Sequence, residues 1–415
     1  MPSETLVLIL IVVFVLLEFS FGKILDFMNA KSWDKDLPPL VEDLYDAEKY
    51  EKAKSYAQAN GRLALISGVL GITAILLMLM LRGFGAVDIW VNSLTDNRIL
   101  QSLLFFGILS LASSIINLPF GIYKTFVIEE QYGFNKTTWQ TFTLDIIKST
   151  LLGAVISGSI LAALTWVYYA MPTNFWWVAW LIMTAFSLFF ATFYTTLIVP
   201  LFNTLEPLSE GSLREKIENY AKEVDFPLTN IFVIDGSKRS SKANAFFSGL
   251  GKKKAIVLYD TLMKDNTEEE LTAILAHEVG HYKKNHIKQS MILGILQTGV
   301  LFFLFGILAK SDSLSLALGS SESSFHLALI AFTMLYSPIS TIVGVFMNVF
   351  SRKNEFEADA YAKETYAAEP LQTALKKLSV NYLSNLTPHP AYVFVHYSHP
   401  PLVERLSALQ MTKKS

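Results

Sequence analysis

The chain has 415 residues, of which 52% are hydrophobic and 17% charged, with a mean hydropathy of +0.38 and a formal net charge of −2. So few charges, against roughly 25% in soluble domains, place it among membrane proteins, and the near-neutral balance gives nucleic acid nothing to bind. There is no cysteine, which excludes disulfides and thiolate ligands and leaves His, Asp and Glu for any metal.

The first element is an apolar stretch over Leu6–Leu25. It begins at Met1-Pro2-Ser3-Glu4, with no positive leader and no small-residue cleavage site after it, so it reads as a retained membrane span. Six more stretches reach the roughly 20 residues needed to cross a bilayer: Leu63–Leu81, Ile99–Ile122, Ile147–Tyr169, Trp176–Phe202, Ser290–Leu308 and Leu327–Val349. Residues 23–62 carry seven Lys/Arg, whereas 82–98, 171–174 and 310–324 carry two, none and one. Basic loops stay in the cytoplasm, so the N-terminus is expected outside and the polar segments 203–289 and 351–415 in the cytoplasm. The chain thus divides into spans one to five over 1–202, a polar segment over 203–289, spans six and seven over 290–350, and a polar tail over 351–415.

Within the polar segment, Gly211–Val224 has the pattern of an amphipathic helix. Ile231–Ile234, Ala243–Phe247 and Ala255–Tyr259 read as strands, the last two joined by a glycine turn beginning at Gly249. Asn266 or Thr267, followed by three glutamates, caps a helix that runs into His277-Glu278-Val279-Gly280-His281. Two histidines four apart share one helical face, about 5–6 Å apart at Cβ, and can meet one Zn²⁺. Glu278 points about 100° around the helix from His277, where it serves as a general base on a metal-activated water instead of as a ligand.

A catalytic zinc needs a third protein ligand and an open position. The best candidate is Glu355, in Asn354-Glu355-Phe356-Glu357-Ala358-Asp359. Asp359 lies four residues on, on the same face, so that one of the two can ligate while the other orients a ligand imidazole. Glu357 is expected on the opposite side, without part in the site. Of the other histidines, His286 is expected to turn away from the ligand face and His326 lies at the far end of span seven. His389 and His396 read as surface residues. His399 stands in a rigid Tyr397-Ser-His-Pro-Pro401 turn, and near the metal it would hold an oxyanion.

These motifs, in this order, resemble the CAAX prenyl protease family of the a-factor-converting type, integral-membrane zinc metalloendopeptidases. The resemblance rests on Glu129-Glu-Gln-Tyr-Gly-Phe-Asn135, Pro200-Leu-Phe-Asn203 with Pro207-Leu208, Ser241-Lys-Ala-Asn244-Ala245, and Ile256-Val-Leu-Tyr-Asp260. The zinc motif, Ser351-Arg352 with Glu355–Asp359, and Tyr397–Leu402 with Arg405 complete it. It implies a mainly α, polytopic fold of seven transmembrane helices around an internal water-filled chamber, with a cytoplasmic zincin-type catalytic part containing a small β-sheet. It also implies zinc on His277, His281 and Glu355, one ion per chain, with Glu278 as base. Asn244 would align the substrate backbone on an edge strand, His399 would stabilise the transition state, and Arg405 would support the Glu355 region.

The substrate so implied is a prenylated CAAX protein or peptide in the bilayer, cut to release its C-terminal tripeptide. The membrane would be the endoplasmic reticulum in a eukaryote and the plasma or inner membrane in a bacterium. One alternative is a membrane-protein quality-control protease without a prenyl requirement. Another is a seven-span transporter or receptor with structural zinc, but three ligands and an open position argue against a structural site, which is normally closed by four.

Overall fold

The computed structural model describes residues 3–34, 36–248 and 254–411. The leading Met1 and Pro2, the expected glycine turn at 249–252 and the Lys413–Ser415 end lie outside the described residues. The chain opens with α1 (Glu4–Lys31), α2 (Ala47–Met80), α3 (Gly83–Leu94), α4 (Arg98–Tyr123, continued by a π-helical turn over Lys124–Glu129), α5 (Trp139–Ala170), α6 (Phe175–Leu197) and the short α7 (Val199–Phe202). The polar segment forms β1 (Leu205–Pro207), α8 (Ser212–Glu223), β2 (Leu228–Ile234), β3 (Ala245–Ser248), β4 (Lys254–Tyr259), α9 (Asp260–Asp265) and α10 (Glu268–Lys283). Then come α11 (His286–Leu308), α12 (Ser313–Ala317), α13 (Phe325–Thr365), α14 (Ala368–Asn381), α15 (Pro390–His396) and α16 (Leu402–Gln410).

Seven helical stretches among the described residues are long and apolar enough to cross a membrane, and they are the seven expected. The expected ends fall short wherever a helix carries polar turns beyond the bilayer. At about 1.5 Å per residue, the 41 residues of α13 reach about 60 Å, twice a hydrocarbon core of about 30 Å. Its second half therefore leaves the membrane as a rigid arm. The fifth span breaks at Ile198 into two pieces, with Pro200 in the first turn of α7 unable to donate back to α6.

Each spanning helix keeps its buried residues at its ends. None of residues 12–24, 54–78, 106–123, 139–163, 180–194, 287–301 or 337–353 is buried. At one end the helices share a core that includes Val7, Leu79, Phe105, Val167, Phe175, Phe305 and Phe325. Close-packed bundles bury a stripe along their whole length. Seven helices that bury nothing at mid-height instead stand around open space, which is the internal chamber.

The converging end is closed by α3, in a region expected to be a loop. Asp88 on α3 meets His326 Nε2 at 2.7 Å and accepts from Ser320 Oγ at 2.8 Å, all three buried. Phe84 and Val91, seven residues apart on one face of α3, give it an apolar side to bury.

At the other end lies a four-stranded sheet of order β1-β2-β4-β3, with β2 and β4 parallel and the outer strands antiparallel to them. Three of its strands were expected. β1 has only three residues and ends in a proline, too short for an alternating pattern to register. β3 starts at Ala245, so Asn244 does not lie on the edge strand but immediately precedes it, with its carbonyl accepting from Tyr259 N at 3.0 Å.

Candidate metal centre

The helix α10 begins where its chemistry dictates. Thr267 caps it in a closed capping box with Glu270, and Glu268, Glu269 and Glu270 place negative charge at the positive end of the helix dipole. Leu271, Leu275 and Val279 bury one side against α8 and β4. His277 and His281 share another side. Between them sits Gly280, where a Cβ would lie 3.0 Å from Ala358 Cα. The missing side chain lets α10 and α13 meet backbone to backbone, and that approach brings Glu355 to the two imidazoles.

His277 Nε2 and His281 Nε2 are 3.1 Å apart. Glu355 Oε2 is 3.4 Å from the first and Oε1 is 3.3 Å from the second. One donor atom from each residue falls within a 4.8 Å cluster. Two observations fit this cluster to a metal ion. Both Nε2 atoms and the Glu355 carboxylate converge on one point. Glu355 Oε2 is buried and makes no close hydrogen bond, with His277 Nε2 at 3.4 Å and Arg405 Nη1 at 3.7 Å beside it, a costly state for a carboxylate oxygen that a metal ion would relieve. His and carboxylate donors with an open side suit Zn²⁺.

The supports are explicit. Asp359 Oδ1 lies 2.8 Å from His277 Nδ1, which turns that ring's Nε2 toward the centre. Arg405 grips Asp359 through Nε at 2.8 Å and Nη2 at 2.6 Å, and its Nη1 is 3.7 Å from Glu355 Oε2. Burial pushes the His277 imidazole down, but the carboxylates of Asp359 and Glu355 beside it more than reverse this and hold it up at about 9.

The remaining expected residues also converge. Glu278, Asn244 and His399 line one cleft of about 450 Å³ with His277, His281 and Glu355. His399 Nε2 is 3.4 Å from Glu355 Oε1, and its Nδ1 is 3.0 Å from Ser398 Oγ. Leu371, Leu375 and Leu378 of α14 and Tyr382 also line the cleft.

Two expectations are corrected. His286 does not turn away: its Nδ1 lies 3.0 Å from His281 Nδ1. Glu357 is not apart from the site either, since its Oε2 is 3.1 Å from His286 Nε2. On one continuous helix five residues turn about 140°, which would carry His286 away. The chain instead breaks at Asn285, which takes left-handed dihedrals (φ 61°) tolerated best by Gly and Asn, and α11 starts in a new direction.

Other contributors carried no readable role. Arg352 on α13 donates to the Val393 and Tyr397 carbonyls and so fixes the turn that presents His399. Lys242 reaches Tyr56 Oη at 2.9 Å and Glu129 Oε2 at 3.0 Å, and Arg239 makes a bidentate pair with Asp145. These ties fasten the segment bearing Asn244 to α2, α5 and the π-helical turn after α4. The basic residues are visible in sequence, but their partners lie from 41 to 186 positions away. Leu371, Leu375 and Leu378 have helical spacing, which marks an amphipathic face without saying what faces it.

Residues 27–204 match the family described as CAAX prenyl protease N-terminal, five membrane helices, and residues 207–413 match peptidase family M48. The chain is 35% identical to CAAX prenyl protease 1 of Saccharomyces cerevisiae, over 95% of this chain and 93% of that one. It is 34% identical to the human CAAX prenyl protease 1 homolog, over 91% and 89%. Among solved structures, that of S. mikatae Ste24p superposes with a TM-score of 0.93 at 35% identity, over 99% of this chain and 100% of that one.

Proposed function

The chain belongs to peptidase family M48 and is an integral-membrane metalloendopeptidase, and from that premise we propose that it removes the C-terminal tripeptide of prenylated CAAX proteins, using one zinc ion per chain. The observation that carries this reading is the cluster of His277, His281 and Glu355 in a cleft shared with Glu278, Asn244 and His399. Relatives named CAAX prenyl protease 1 support the prenylated substrate.

His277, His281 and Glu355 would hold the ion, with Asp359 and Arg405 fixing the His277 ring. When bound, zinc supplies a Lewis acid that polarises a carbonyl and acidifies water. A substrate peptide adds alongside β3, which among the described residues pairs with β4 alone and lies at the end of the sheet, with the Asn244 side chain aligning its backbone. Glu278 takes a proton from the attacking water and returns it to the leaving amine. His399 donates to the developing oxyanion. Residues 203–289 and 351–415 act as one catalytic unit on the cytoplasmic side, with 1–202 and 290–350 as its membrane part. The basic 23–62 loop supports this orientation, and the membrane is the endoplasmic reticulum if the cell is eukaryotic and the plasma or inner membrane if it is bacterial.

The test uses two matched peptides ending in a CAAX sequence, one farnesylated and one not. We expect tripeptide release from the farnesylated peptide at a kcat/KM at least tenfold higher. Equal cleavage of both would overturn the prenyl-directed reading in favour of a general membrane quality-control protease.

A further inference from the structure

We propose that His286 and Glu357 are positioning residues for His281, holding its ring in the tautomer and orientation that leave Nε2 open to the metal. The inference rests on the proposed role of His281 as a ligand.

His281 Nε2 faces the centre, 3.1 Å from His277 Nε2 and 3.3 Å from Glu355 Oε1. To ligate, that nitrogen must carry no proton, so the hydrogen of the neutral ring resides on Nδ1. His281 Nδ1 meets His286 Nδ1 at 3.0 Å. Two ring nitrogens can bond only if one donates and the other accepts. With His281 donating, His286 Nδ1 accepts and its own hydrogen sits on Nε2. That atom lies 3.1 Å from Glu357 Oε2, an acceptor. Every hydrogen in the chain His281→His286→Glu357 is placed by this one assignment. The opposite tautomer of His281 would put a proton on Nε2, pointing at its partner ligands.

The arrangement parallels the one at His277, whose Nδ1 meets Asp359, itself gripped by Arg405. Each ligand imidazole thus has its own acceptor: a buried carboxylate for one, a buried imidazole backed by a carboxylate for the other. His286 is 3% exposed, so water does not compete for the contact. Such partners typically change metal affinity 10–100-fold when removed.

The test measures zinc affinity of the purified full chain by competition with a chromogenic chelator, alongside thermal melts of the metal-free proteins. His286→Leu keeps the bulk but removes the acceptor. His286→Asn offers an amide oxygen close to where Nδ1 stood. We expect zinc affinity about 10–100-fold weaker in His286→Leu, within about threefold of wild type in His286→Asn, and a few-fold weaker in Glu357→Ala. Equal loss in the Leu and Asn variants, or no loss in either, would overturn the inference. If His286→Leu does not fold, the Asn variant decides: affinity near wild type supports the acceptor role, and a tenfold loss contradicts it. Failure of the underlying reading has a separate signature, because zinc would then be absent from wild type or retained by His281→Ala.

Discussion

Asp359 is a carboxylate almost without solvent, held by two hydrogen bonds from Arg405 and one contact with His277. Removing one partner from such a buried pair costs about 3–5 kcal/mol, because the other charge is left alone in a poor solvent. An exposed pair such as Lys353–Glu357, at 3.7 Å, contributes about 0–1 kcal/mol. The buried pair therefore defines the geometry at His277. His399 is a different kind of residue, with its side chain 64% exposed and free to meet a substrate. Its proposed role predicts that His399→Ala lowers kcat about 100-fold, as loss of one oxyanion donor does elsewhere, with zinc content unchanged. Loss of zinc in that variant would instead make His399 a fourth ligand.

At the scale of elements, the site is made by two helices, α10 and α13, touching at Gly280 and Ala358. A small alanine side chain at 280 would need a few tenths of an ångström; a leucine has nowhere to go. Gly280→Leu should push the helices apart, carry Glu355 away from His277 and His281, and cut zinc per chain to well below one. Full zinc occupancy there would show that the contact is not what assembles the site. This is also where sequence reading reached its limit. The spacing of His277 and His281, the base beside them, and the pairing of Glu355 with Asp359 are local to one helix each, and local periodicity makes them legible. His286 and Glu357 were misread because their placement depends on the left-handed turn at Asn285, which breaks the helical period. The helix α3 was missed because its reason for folding is the distant Asp88–His326 contact. β1 is three residues long, and a strand that short exists only because β2 is there to pair with it.

For the whole molecule, the unburied middles of the seven helices are the informative feature. Glu18 lies in such a stretch of α1 and is exposed. An acidic residue facing lipid at mid-bilayer costs about 2.5–3.5 kcal/mol, so it should face water in the chamber. The chain has no cysteine, which makes single-cysteine labelling clean. In proteoliposomes Glu18→Cys should react with a membrane-impermeant thiol reagent, whereas Leu164→Cys, in the packed far end, should not. An unreactive Glu18→Cys would argue for a closed bundle. A chamber behind a metal cleft suits an enzyme that hydrolyses peptides arriving from the membrane, and it gives the metal centre its purpose.

The most direct test of that centre measures zinc per chain and peptide hydrolysis on the same preparations of wild type, Glu278→Gln and Glu355→Ala. The account predicts one zinc and full activity in wild type, one zinc with kcat reduced at least about 100-fold in Glu278→Gln, and loss of both in Glu355→Ala. Wild-type activity in Glu278→Gln, or undiminished zinc in Glu355→Ala, would contradict it.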